Sequence, residues 1–208
     1  GHVVAYGTCQ QADQLDGLVL DRSVPLVGGS PQRPRLTLMD SGFRPSMVYR
    51  FCRGRTRKRR IYPAKGSNSP LGTYVQKRIL GENTSSPGQK IVLVDTTSTQ
   101  DWMEGALAGG EAGESEISLF NGSLGEHQDF LEQLLNDGPV GSVAKDGNYR
   151  ERWERLDPHV PNDYRDAWRY AFAALKLLNR GAAMRPGPVV HSAHPTTPDA
   201  GTIRVVEL

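Results

Sequence analysis

The stretch RLTLMDSGF, residues 35–43, decides how the chain is read. Leu36 and Leu38 alternate with Arg35 and Thr37, the period-2 pattern of a strand. The run stops on a carboxylate, Asp40, with Gly42 two residues on. Within such a Asp-Ser-Gly segment an Asp forms turns by bonding its own backbone. An Asp at a strand end is also a way to aim a hard oxygen ligand at a cation, and residue 40 alone leaves both readings open.

Working outward, the flanks supply the elements. HVVAYG (2–7) and GLVL (17–20) read as a hairpin, and SVPLVGGSPQRP (23–34) as a Gly/Pro loop. Residues 35–40 read as a central strand, because the run is short and apolar. SMVYRFCR (46–53) follows Pro45 with apolar residues at helical spacing, and RIYPAKG (60–66) reads as a strand closed by Pro63. TYVQKRIL and KIVLVDT are two further strands around the loop GENTSSPGQ. STQDWMEGAL (98–107) reads as a helix capped by Ser98, with Asp101 in the capping-box position. ISLF is a short strand, and residues 124–137 are a helix that Gly138-Pro139 ends. YRERWERL reads as a strand. Residues 162–179 carry no internal Gly or Pro, begin at Asn162 as N-cap and form the strongest helix of the chain, with Ala167, Tyr170, Ala171, Ala174 and Leu177 as its apolar face. This order predicts a mixed α/β sheet with helices on both faces. The expected organisation is one domain over 1–181 and a Pro-rich tail over 182–208.

The 208 residues suit a single domain, and a net charge of +2 says little about partners. Local charge says more. Arg53, Arg55, Arg57, Lys58, Arg59 and Arg60 crowd one segment, either to meet a phosphate backbone or as a solvated loop. Lys65 is a candidate phosphate ligand or a plain surface lysine. Cys9 and Cys52 have no metal-site spacing and read as free thiols. No apolar run approaches the roughly 18–20 residues of a membrane span.

Asp166 sits in the first turn of the last helix, where a helix dipole alone favours an acid. Taken with Asp40 it suggests more. A carboxylate at a strand end and another early in a late helix are a common way to bind Mg²⁺ or Mn²⁺. Two such ions can activate water and stabilise the leaving oxygen of a phosphodiester.

These residues carry a resemblance. LTLMDSGFRPSMVYRFCR followed by RRIYPAKG resembles the nuclease domain of lambda-type, GpA-like phage terminase large subunits. There a strand ends in Asp–Ser/Thr–Gly, a helix with a Val-Tyr pair follows, and the next strand ends in Pro-x-Lys-Gly. FLEQLLND is similar to the family's Gln-Leu-x-x-acid helix. PNDYRDAWRYAFAAL is similar to its closing helix, with Asn162, Asp166, Tyr170, Ala171, Ala173 and Ala174 matching and Asp163 in place of Glu. The match runs over roughly residues 35–178.

The resemblance implies a ribonuclease H-like fold and a metal-dependent endonuclease that cuts concatemeric double-stranded DNA during packaging in the host cytoplasm. It implies two Mg²⁺ or Mn²⁺ ions, and the terminase small subunit and portal as partners. Asp40 and Asp166 map onto two acidic metal ligands of the family. Its first catalytic Asp belongs to a strand before the one resembling HVVAYG, so the resemblance places that acid upstream of this sequence, with Asp13, Asp16 and Asp21 as substitutes that match no motif. The family's Lys after the KIVLVDT strand is Gln100 here, and no GxxxxGK[ST] motor motif is present. The alternative is a nuclease-like module that grips DNA or the packaging machine without cutting.

Overall fold

The computed structural model describes residues 2–3, 5–7, 14–17, 21–26, 29–55, 60–67, 69–108, 118–143, 147 and 149–179. They fall into two compact units: residues up to Tyr6 with Thr97–Arg169, and Gly7–Thr96 with Tyr170 onward.

The second unit holds a four-stranded sheet. Its strands are β4 (Thr37–Asp40), β5 (Ile61–Ser67), β6 (Val75–Ile79) and β7 (Lys90–Asp95), in the order β4-β5-β7-β6. β4, β5 and β7 run parallel and β6 is antiparallel to β7. The TLMD strand, expected to be central, is therefore an edge strand among the described residues. Its partly buried pattern agrees, whereas β7, paired on both sides, reads as a nearly continuous apolar run.

Helix α1 (Pro45–Cys52) starts with proline at its first turn, where no N–H is needed. Val48 and Cys52 pack on Ile61 and Met39 on one face of the sheet. On the other face Ala64, Val75, Val92 and Val94 meet Tyr170, Ala173 and Leu177 of a late helix. Helices thus cover both faces of this sheet, as the element order predicts. Val92 and Val94 are wholly buried, which contributes about 1.5 kcal/mol or more each.

Pro63 does not close β5 but lies within it, opposite Met39. The carbonyls of Arg60 and Ala64 bond Thr37 and Ser41 of the β4 side, so Pro63 faces β7, where pairing starts only at Ala64. The missing N–H therefore breaks no ladder bond. The expected loop at 23–34 contains a small hairpin of β2 (Val24–Leu26) and β3 (Gly29–Gln32). The expected pairing of residues 2–7 with 17–20 is also corrected. β1 (His2–Val3) pairs in parallel with β8 (Ser118–Leu119), Gly17 ends a helical turn, and residues 18–20 lie outside the described residues.

The first unit contains α2 (Thr96–Leu107, mostly), α3 (Leu124–Leu135) and the first part of α4 (Asp163–Leu178). α2 begins directly after β7, so Ser98 lies inside it rather than capping it. α3 starts on a capping box that the sequence reading passed over: Ser123 accepts the Glu126 N–H, and the Glu126 carboxylate accepts the Ser123 N–H. Those contacts hold the Glu126 carboxyl below its usual range. α3 stops at Leu135, and Gly138-Pro139 belong to strand β9 (Asp137–Val143), antiparallel to β10 (Tyr149–Arg155). Met103, Phe130 and Leu134 form the core of this unit, with Tyr6 stacked on Phe130 at 4.4 Å between ring centres.

Candidate functional site

Asp40 owes its position to the pleat. Leu36 and Leu38 belong to the cluster beneath α4 while Met39 faces α1, so the alternation sends Asp40 to the α4 face, at the C-terminal rim of the sheet. Its Oδ1 accepts the Gly42 N–H at 3.0 Å and the Tyr170 hydroxyl at 2.9 Å. The turn reading of Asp40 is realised in this side chain. It makes the local turn with Gly42, and it stays exposed at the rim. A Cβ at position 42 would stand 3.3 Å from Oδ2 of Asp40 and would displace the carboxylate by a few tenths of an ångström. Ser41 is buried and anchors the turn, its hydroxyl donating to the Ala64 carbonyl at 2.7 Å.

Asp166 lies in the first turn of α4, half-buried, and pairs with Arg169 at 2.9 Å. Tyr170, one turn further along the same helix, is the residue that reaches Asp40. The buried stripe of α4 differs from the expected apolar face. Arg165, Arg169, Tyr170, Phe172, Ala173, Ala174 and Leu177 are buried, whereas Ala167 and Ala171 are exposed.

That rotation exposes a polar network the sequence did not announce. Arg165 is 1 % exposed and donates to Gln100 Oε1 at 3.0 Å and to the Leu134 carbonyl at 2.6 Å. Asp137 lies 3.6 Å from it and also accepts from Asn162 and Gln100. Burial lowers the Arg165 pKa, and Asp137 opposes that shift. Asn162 provides the carbonyl for Asp166 N–H but spends its amide on Asp137, and Gln133 accepts the Tyr164 N–H at the helix start. The Gln133–Asp137 motif thus anchors the beginning of α4.

A second carboxylate also ends a strand of the sheet. Asp95 closes β7 and accepts the Leu71 N–H at 2.8 Å. The sequence signal was the same as for Asp40: an apolar run ending in Asp. Val92 and Val94 share the α4 face, so the pleat turns Asp95 to the opposite one, and it is buried.

The basic residues separate into different environments. Arg55 is tied to Asp16 at 2.7 Å and lies over the Phe51 ring at 4.3 Å, so both groups are already spent on each other. Asp13, Arg57, Lys58 and Arg59 lie outside the described residues. Asp21 is exposed. Lys65 is exposed on β5, on the α1 side by the pleat, whereas Asp40 takes the α4 side. Arg53 and Arg60 line one open cleft. Cys52 is a buried free thiol, as its spacing suggests, with its pKa pushed up to about 12 by desolvation; Cys9 lies outside the described residues.

Among the described residues no three His, Cys, Asp or Glu side chains gather as a metal cage. Asp40 fits as a single hard-oxygen ligand and no complete donor set surrounds it there, so no chemical step is derived through an ion.

A mixed four-stranded sheet with helices on both faces, and a carboxylate at its rim held by a late helix, define the class: a mixed α/β domain. The chain belongs to the family of the terminase large subunit gpA endonuclease domain, whose model matches residues 1–184. No curated protein and no solved structure gives a match.

Proposed function

We propose that this chain is the cutting domain of a viral DNA-packaging enzyme, an endonuclease that hydrolyses phosphodiesters of concatemeric double-stranded DNA. The observation that carries the reading is the Asp40 carboxylate, oriented at the sheet rim by Gly42 and Tyr170 in a chain of this family. Asp40 and Asp166 are the acids assigned to Mg²⁺ or Mn²⁺, ions that activate water and stabilise a leaving oxygen when bound. The chain's own contribution is orientation: Tyr170 holds Oδ1 of Asp40, which fixes the carboxylate plane. We assign residues 1–181 to the nuclease domain, of ribonuclease H type, and 182–208 to a tail. The small subunit, the portal and the host cytoplasm complete the proposed setting. No helix among the described residues is long and apolar enough to cross a membrane.

Two measurements test this. Incubated with duplex DNA and Mg²⁺ or Mn²⁺, the domain expressed together with the first-strand acid that the resemblance places upstream is expected to cut, and Asp40→Asn or Asp166→Asn to slow cutting about a hundredfold or more. Titrated with Mn²⁺ alone, each variant is expected to bind the ion more weakly while still unfolding in one cooperative thermal transition. Undiminished cutting by both variants refutes the two roles. DNA that is bound but never cut identifies the non-cutting module instead.

A further inference from the structure

The C-terminal rim of the sheet carries Asp40. Its opposite rim carries an open cleft of about 730 Å³, lined by Arg53, Arg60, Tyr62, Gly88, Gln89 and Lys90. Three of these are exposed cations and none of the lining residues is acidic. Each cation comes from a different place in the fold: Arg53 follows α1, Arg60 precedes β5, and Lys90 opens β7. Because β5 and β7 are adjacent and parallel, Arg60 and Lys90 both stand at the N-terminal ends of their strands.

Arg55 shows what an arginine of this segment does when an acid is near: it forms an ion pair. Arg53, Arg60 and Lys90 form none among the described residues. Like charges held together without counter-charges are unfavourable and call for an anion. Arg60 also holds a left-handed backbone, φ 53°, which is costly for a residue with a Cβ and is the kind of strain found at binding sites. Tyr62 supplies an aromatic floor, and Lys77 already covers its ring at 5.1 Å, so the cleft is suited to phosphates rather than to a stacked base.

We propose that this cleft is a second DNA-backbone site, which grips phosphates of the strand at the sheet rim opposite Asp40. The inference rests on the DNA-cutting reading and extends it to Lys90, which no sequence motif singled out. Asp40 is in register with Ala64, four residues along β5 from Arg60, or roughly 13 Å at about 3.3 Å per residue. That length corresponds to about four base-pair steps along a duplex axis at about 3.4 Å each. Grip and cut are then separate: the cleft sets affinity and Asp40 sets chemistry.

The test is fluorescence anisotropy of a labelled duplex in EDTA, across a salt titration, with the double variant Arg53→Gln/Lys90→Gln. Removing two phosphate contacts is expected to make the slope of log K against log salt shallower by about two, and to weaken binding about tenfold or more at low salt, whatever the DNA sequence. Lys90→Arg keeps the charge and is expected to bind like the parent. In cutting assays the double variant raises KM and leaves kcat unchanged. An unchanged slope and affinity, with parent and variant melting alike, overturns the cleft even if the parent cuts DNA. A shallower slope supports it even if the parent does not cut, in which case the cutting reading alone fails. Displacement of the duplex by millimolar mononucleotide, with no salt dependence lost in the variant, overturns it in favour of a small-nucleotide site.

Discussion

At the scale of single residues, the contact between Tyr170 and Asp40 matters most. Tyr170 is buried, and its ring serves the core with Ala173 and Leu177 while its hydroxyl leaves the core to hold Oδ1 of Asp40. Tyr170→Phe keeps the ring and deletes only the bond. A hydrogen bond to a charged group is worth about 1.5–3 kcal/mol when shielded, and Asp40 is exposed, so the expected stability loss is about 1 kcal/mol or less. The expected functional effect is larger, a fall in kcat with KM little changed, because the carboxylate loses its fixed orientation. Denaturant unfolding and steady-state cutting together check it; equal loss of both parameters would mean that Tyr170 is structural only. Position 40 itself was legible in the sequence, since the pattern of an alternating strand ending in Asp-Ser-Gly names it. Its partner was not, because Tyr170 looks like any aromatic on a helix face. Which of its two ends matters is settled by a residue 130 positions away.

At the scale of elements, Asn136 explains why helix α3 ends where it does. Its amide donates to the carbonyls of Asp157 and Val160 at 2.9 and 2.7 Å, and its side-chain carbonyl accepts the Asp157 N–H at 2.9 Å. Its main-chain carbonyl takes the Leu156 N–H. Gly138 and Pro139 look like the stop signal, but the chain has already left the helix to pair with β10. Asn136→Ala leaves three partly buried backbone groups of Asp157 and Val160 without this partner and is expected to destabilise the protein by about 1–2 kcal/mol, read in urea unfolding. A loss under about 0.5 kcal/mol would mean that water replaces the amide. Ser123→Ala tests the other end of α3, where losing the cap is expected to cost about 1 kcal/mol. The depressed Glu126 carboxyl belongs to the same cap. Its stabilising share is present above its unfolded pKa and lost as pH falls through the lower folded one, so the acid limb of stability is expected to flatten in Ser123→Ala.

At the scale of the whole molecule, the alkaline limb of the stability curve reports on burial. Cys52 is wholly buried, and its thiol titrates near 12 in the fold against about 9 when exposed. A group raised on folding stabilises fully below its unfolded value and loses that share as pH rises to the folded one. Stability is therefore expected to fall between pH 9 and 12, by at most about 1.4 kcal/mol per pH unit from this thiol. Tyr6 and Tyr164, raised chiefly by burial, add to the fall in the same direction. Cys52→Ala is expected to unfold more easily near neutrality and to show a shallower alkaline slope; identical slopes would show that Cys52 ionises freely. The sequence by itself determined the strands of the four-stranded sheet, the long last helix and the family, because period, capping chemistry and motif are local properties that hold wherever the segment lies. Only the tertiary structure decided that β4 lies at an edge, that His2–Val3 pair with Ser118–Leu119, that Pro63 and Pro139 sit inside strands, and that Arg165 is buried against Asp137. Each depends on residues distant in sequence. A proline is tolerated where its missing N–H meets no partner, and a charge is buried where an opposite charge and hydrogen bonds await it. Neither condition is written in the neighbouring letters.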